Sequence, residues 1–103
     1  MTEDQGIEDL VNDPILSSGA RVGILIALFG VGRSTFTDLL RSTGLAKSSL
    51  YMHLQVLEKH GLITMKTEFT RTRPRAIVRI TEAGIMEINH YFDIVKRYFE
   101  ERK

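Results

Sequence analysis

The residues best placed to do chemistry in this chain are hydrogen-bond donors and cations, not nucleophiles. Lys47, Tyr51 and Gln55 recur every four residues in AKSSLYMHLQVLEKHG (46–61), with Ser48 and Met52 beside them. At a helical period they share a face that carries no acid until Glu58, while Leu50, Leu54 and Leu57 form a separate apolar stripe. A face of Lys, Ser, Tyr and Gln donates hydrogen bonds to phosphates and base edges without repelling them. An exposed Tyr next to an exposed Met suits base edges or thymine methyls better than water. Gln55 can pair bidentately with adenine, a contact that discriminates by roughly 1–3 kcal/mol. A solvated helix face is the plain alternative.

A second cationic group follows. Glu68-Phe-Thr-Arg-Thr-Arg-Pro-Arg75 sets Arg71, Arg73 and Arg75 against one acid. Two copies of the chain offer about six such arginines, worth on the order of three to five decades of affinity between low and physiological salt if all reach phosphates. The alternative is a soluble loop tip. His53 and His60 lie seven apart on one helix, too far to share a metal directly, and His53 reads as a hydrogen-bonded helix histidine. No nucleophile pairs with a base, so no enzyme, cofactor or metal site is expected. GVGRST (30–35) is not a phosphate loop, because Ala27 and Arg33 stand where that motif needs Gly and Lys, and a helix rather than a strand precedes it.

These groups need elements to hold them. Asp13-Pro14 has the chemistry of a helix start, and the apolar positions from Val22 to Phe29 predict a largely buried helix from about Ser18 to Phe29, ended by Gly30 and Gly32. Arg33 and Ser34 begin a short extended segment. Thr35 and Asp38 have capping-box spacing for a short helix to about Ser42, then Thr43-Gly44-Leu45 turns into the two-faced helix. This is a helix-turn-helix arrangement. Leu62, Ile63 and Met65 begin a strand, Ala76 to Thr81 forms its partner, and residues 68–75 are the loop between them. Thr81 caps a last helix in which Ile85, Ile88, Phe92, Val95 and Phe99 follow at spacings of three and four. Met86, Tyr91, Ile94 and Tyr98 widen that seam. Its later part, Tyr91 to Phe99, is expected to pack against a second subunit.

Composition sets the bounds. At 103 residues and 43% hydrophobic, the chain makes one domain with a real core. The absence of Cys removes any disulfide framework or thiolate metal site. The longest apolar run, Val22 to Gly32, is too short to span a bilayer, and the acidic N-terminus does not read as a signal peptide, so a cytoplasmic protein is expected. The net charge of +1 hides an asymmetry. Residues 1–13 hold five acids and no base, which leaves +6 on the remainder. That balance is compatible with nucleic-acid binding.

Phe36-Thr-Asp-Leu-Leu, then Gly44 through Ile63, then Arg73-Pro-Arg and Ile80-Thr-Glu-Ala-Gly resemble the winged-helix transcription regulators, above all the small MarR-like and ArsR-like proteins. The resemblance covers about residues 14 to 84. It implies a homodimer whose recognition helix enters the major groove of double-stranded DNA and whose basic hairpin, the wing, reaches the flanking minor groove or backbone. Carried over by position, Lys47, Ser48, Ser49, Tyr51, Met52 and Gln55 face bases, and Arg71, Arg73 and Arg75 serve the wing. Two departures stand out. The Cys or paired acid and His ligands of ArsR-like metal sensors cannot be assembled, and the chain lacks the extra terminal helices of typical MarR-like proteins.

The expected architecture is therefore α+β, mostly α: an acidic arm (1–13), a winged helix-turn-helix with a two-stranded wing (14–84), and a C-terminal dimerisation helix (85–103). Ile88, Tyr91, Phe92, Val95 and Phe99 are the expected dimer interface. The rival is a winged-helix protein-interaction module, anchored by Tyr51 and Met52, which has no need of three wing arginines. A repressor taking a small molecule near Tyr91 and Phe92 has apolar lining but no convergent polar set.

Overall fold

Side-chain caps and left-handed glycines mark several of the element ends. In a computed structural model, which describes residues 6–101, five helices surround a three-stranded antiparallel sheet. Residues 1–5 of the acidic arm, and residues 102–103, lie outside the described residues. The first helix, α1 (Ile7–Asn12), lies against the last one. Asp13 then caps a single turn, its Oδ1 accepting from the backbone N–H of Ile15 (2.7 Å) and Leu16 (2.8 Å). The Asp13-Pro14 signal is thus a start, but of one turn that buries Ile15 and Leu16.

Ser18 caps α2 (Gly19–Val31), and Gly32, at φ 83°, closes it two residues beyond Gly30. Val22, Ile24, Leu25 and Leu28 are buried. Ile26 and Phe29, expected inside a largely buried helix, are each 42% exposed. Strand β1 (Arg33–Thr35) follows. Thr35 Oγ1 accepts from Asp38 N (3.0 Å) to open α3 (Phe36–Thr43). Gly44 sits at φ 68°, the left-handed region that a residue with a Cβ resists, and α4 (Lys47–Lys59) starts three residues later.

Strands β2 (Ile63–Phe69) and β3 (Pro74–Ile80) pair in register from Ile63↔Ile80 to Phe69↔Pro74, and β1 adds to the far side of β3. The hairpin loop shrinks accordingly to residues 70–73, and Glu68 and Arg75 face each other inside the ladder rather than in the loop. Ile63 and Val78, on the inner face, join Leu25, Leu28, Leu39, Leu50, Leu54, Leu57 and Ile88 in one core.

Helix α5 (Glu82–Glu101) is tied down at its start. Thr81 Oγ1 donates to Gly61 O (2.7 Å) and accepts from Gly84 N (3.1 Å). A Cβ on Gly84 would stand 2.2 Å from Leu62 O, so only glycine allows this approach. The domain boundary expected after residue 84 therefore falls inside a continuous helix whose first turns belong to the body. The radius of gyration, 15.1 Å, exceeds the roughly 13 Å of a compact domain of this length, because the hairpin and the end of α5 project.

Candidate nucleic-acid interface

Helix α4 is held by its apolar stripe. Leu50, Leu54 and Leu57 are fully buried, each worth roughly 1.5–3 kcal/mol of burial. Across the turn, Thr43 Oγ1 donates to Leu39 O (2.7 Å) and accepts from Leu45 N (3.3 Å). A longer-range tie fixes rotation about the axis. Arg21 donates to His53 Nδ1 (3.1 Å) and to Pro14 O (2.9 Å). An acceptor Nδ1 means that the ring proton of neutral His53 sits on Nε2. Burial, and then the Arg21 charge, hold the His53 pKa below its ordinary value. The hydrogen-bonded histidine expected from sequence is therefore present, with a partner 32 residues away.

With the leucines inside, the opposite face is open. Lys47, Ser48 and Gln55 are exposed, Tyr51 and Met52 are 49% and 48% exposed, and Ser49 is half-buried. No acid of α4 lies among them.

The hairpin brings the second cationic group alongside. Its turn is closed by Thr70, whose N–H and Oγ1 both donate to Arg73 O (3.1 and 2.6 Å). Arg71 and Arg73 are exposed in that turn, and Arg75 is half-buried on β3. Arg73 and Arg75 share a cleft of about 370 Å³ with Lys47 of α4 and with Thr35 and Thr37 at the start of α3. Sequence spacing does not point to the two threonines. The capping role of Thr35 is the available signal, since it fixes where the first turn of α3 must point. Glu68 faces Arg75 across the ladder, but its carboxylate is hydrogen-bonded to Arg79 and lies 3.7 Å from Arg33. The Arg79 hydrogen bond is the main reason its pKa lies below the usual value.

The terminal seam divides. Ile88 has no exposed surface within its own chain, so it is a core residue and not a dimer contact. Tyr91 and Val95 are half-buried against the body. Phe92 (36% exposed) and Phe99 (65%) stay open, together with Ile85. Phe92 meets Phe29 of α2 edge to face at 5.8 Å, which extends the open stripe onto α2, a contribution that spacing on one helix cannot reveal. No group of three or more acidic, His or Cys side chains suited to a metal occurs among the described residues, and no described helix is long and apolar enough to cross a membrane.

Residues 20–99 match the family profile of a winged helix DNA-binding domain. This chain belongs to that family. A protein of Methanocaldococcus jannaschii is 31% identical over 77 residues, 75% of this chain and 84% of the relative. Among solved structures, a transcriptional regulator homologue from Pyrococcus horikoshii superposes with a TM-score of 0.87 at 25% identity, covering 97% of this chain and 98% of that one. The MepR–DNA complex of S. aureus superposes at 0.73 and 18% identity, over 82% of this chain and 69% of that one, and shares the fold. The family and fold are those of DNA-binding transcriptional regulators, which are not enzymes.

Proposed function

We propose that the protein is a sequence-specific regulator of transcription that binds double-stranded DNA as a homodimer. The face of α4 with Tyr51, Met52 and Gln55 reads base edges in the major groove. Lys47, Arg71, Arg73 and Arg75 hold the flanking minor groove and backbone. One observation carries this reading: Lys47 of α4 and the hairpin arginines Arg73 and Arg75 line one cleft, beside a helix face that carries no acid until Glu58. A duplex laid along that cleft meets phosphate-binding cations and base-reading groups together. The MepR–DNA complex shows that a protein of this fold binds DNA. The open stripe of Ile85, Phe92 and Phe99, continued by Phe29, supports pairing through α5.

The test is selection of bound duplexes from a randomised pool at two salt concentrations. The reading expects a palindrome with half-sites about one helical turn apart, or a multiple of that. Binding without a consensus that fades steeply with salt would leave a non-specific DNA binder. Recovery of nothing at either salt would remove DNA as the partner.

A further inference from the structure

The hairpin has a second cationic surface that the cleft does not use. The strand register sets Arg33 opposite Arg79, Arg79 opposite Thr64, Ile77 opposite Lys66, and Arg75 opposite Glu68. Residues directly opposite one another, and every second residue along a strand, share a face. Arg33, Lys66, Arg75 and Arg79 therefore lie on the outer face of the sheet together with Glu68, and a second acid, Asp38 of α3, shares a small cleft with Arg33 and Ile77 at its edge. Ile63, Met65 and Val78 point the other way, to the core. Ile77 is buried on the outer face, beside Thr35 of β1 and Asp38 of α3. From Arg75 to Arg79 the patch runs about 13 Å along β3, at roughly 3.3 Å per residue. Duplex DNA presents a phosphate charge about every 1.7 Å of its axis, so that length faces several.

We propose that this outer face is a second phosphate-binding surface, for DNA running on past the hairpin, and that Glu68 restrains its affinity by occupying Arg79 and Arg33. The inference rests on the DNA-binding reading. Three observations support it. Arg75 belongs to both surfaces, so the cleft that holds Lys47 and the outer face meet at that residue. Lys66 and Arg75 make no salt bridge among the described residues. The Glu68 pairs are solvent-exposed, where an ion pair adds little to stability, so their main consequence is on the field that a phosphate meets.

The experiment uses the full chain and a duplex recovered by selection, in two forms: trimmed to the protected core, and extended by about one helical turn (roughly 10 base pairs) at each end. The wild type gains affinity on extension. Glu68→Gln enlarges that gain by about fivefold for each further phosphate neutralised at physiological salt, and steepens the salt slope by about 0.9 for each. On the trimmed duplex it changes little. Lys66→Ala, which removes a cation without disturbing a salt bridge, shrinks the gain. Thermal unfolding of both variants checks that the hairpin remains folded. If Glu68→Gln and Lys66→Ala match the wild type on both duplexes while Arg73→Ala still weakens binding, the outer face is not a DNA surface and the cleft reading survives. If the wild type binds neither duplex, the DNA reading itself fails.

Discussion

Helices α4 and α5 carry apolar stripes of similar spacing that meet different fates. On α4, Leu50, Leu54 and Leu57 all vanish into the core, and the exposed apolar residues, Tyr51 and Met52, lie on the other side. On α5 the stripe divides: Ile88 and, within the stretch expected to face a second subunit, Ile94 are buried in their own chain, while Ile85, Phe92 and Phe99 remain open. Periodicity specifies that a face is apolar, not which body covers it. A helix in the middle of the chain is surrounded by elements that cover the whole of its stripe. The elements around α5 cover Ile88 and Ile94 but not the rest of its stripe, and the uncovered remainder needs another partner or stays wet. The same contrast separates two kinds of exposed aromatic. Tyr51 stands among hydrogen-bonding groups, whereas Phe92 stands against Phe29.

Folding and assembly measurements separate the two helices. Leu54→Ala removes a fully buried side chain and should cost about 4 kcal/mol in denaturant unfolding, at any protein concentration. Gly84→Ala should cost about 3 kcal/mol, because its methyl would meet a backbone carbonyl that cannot swing aside. Phe99→Ala should change monomer unfolding by no more than about 0.5 kcal/mol, while sedimentation shifts toward the monomer. A loss comparable to that of Leu54→Ala, independent of concentration, would mean that α5 is as fully enclosed as α4.

The smallest effects depend on pH and have opposite signs. The folded state favours neutral His53, so its stabilisation is complete above the ordinary value of 6.5 and is lost as pH falls through the lowered pKa. Burial, and then the Asp13 carboxylate, raise the pKa of Glu87 on α5, against a weaker pull from His90 and His60. Its stabilisation is complete below the ordinary 4.5 and is lost as pH rises through the raised pKa. Glu87→Gln should therefore raise the urea midpoint at pH 7, by an amount that shrinks as the pH approaches 4.5. His53→Gln should instead flatten the fall in stability on the acid side. An unchanged midpoint across the range for either variant would dismiss that residue's contribution.

Much of this architecture is legible in the sequence because local chemistry and tertiary packing agree. Thr35, Gly44 and Thr81 mark element ends through hydrogen bonds within a few residues, and the α4 leucines announce their own face. The hairpin strands run further than their sequence suggests because the hairpin projects beyond the core. Glu68 and Arg75 have no apolar alternation to betray a strand there, and only pairing across the ladder defines it. Ile26 and Phe29 read as core because an apolar residue looks the same whether its partner belongs to the same chain or another. The Arg21–His53 tie and the capture of Glu68 by Arg79 join residues far apart in sequence, which no local pattern encodes. Within the candidate site, the exposed face of α4 follows from helical spacing, but the closeness of Lys47 to Arg73 and Arg75 follows only from the fold.

The proposed function divides the labour, with α4 reading sequence and the hairpin holding backbone. It is tested most directly by measuring affinity against salt for Gln55→Ala and Arg73→Ala, on the selected duplex and on single-base variants of it. Gln55→Ala should relax the preference at one base position, by roughly 1–3 kcal/mol, with an unchanged salt slope. Arg73→Ala should weaken all sequences alike and lower the slope by about 0.9 for each phosphate no longer neutralised. If the two variants behave alike, or if Gln55→Ala alters the slope and Arg73→Ala the preference, the assignment of base reading to α4 and backbone holding to the hairpin is contradicted.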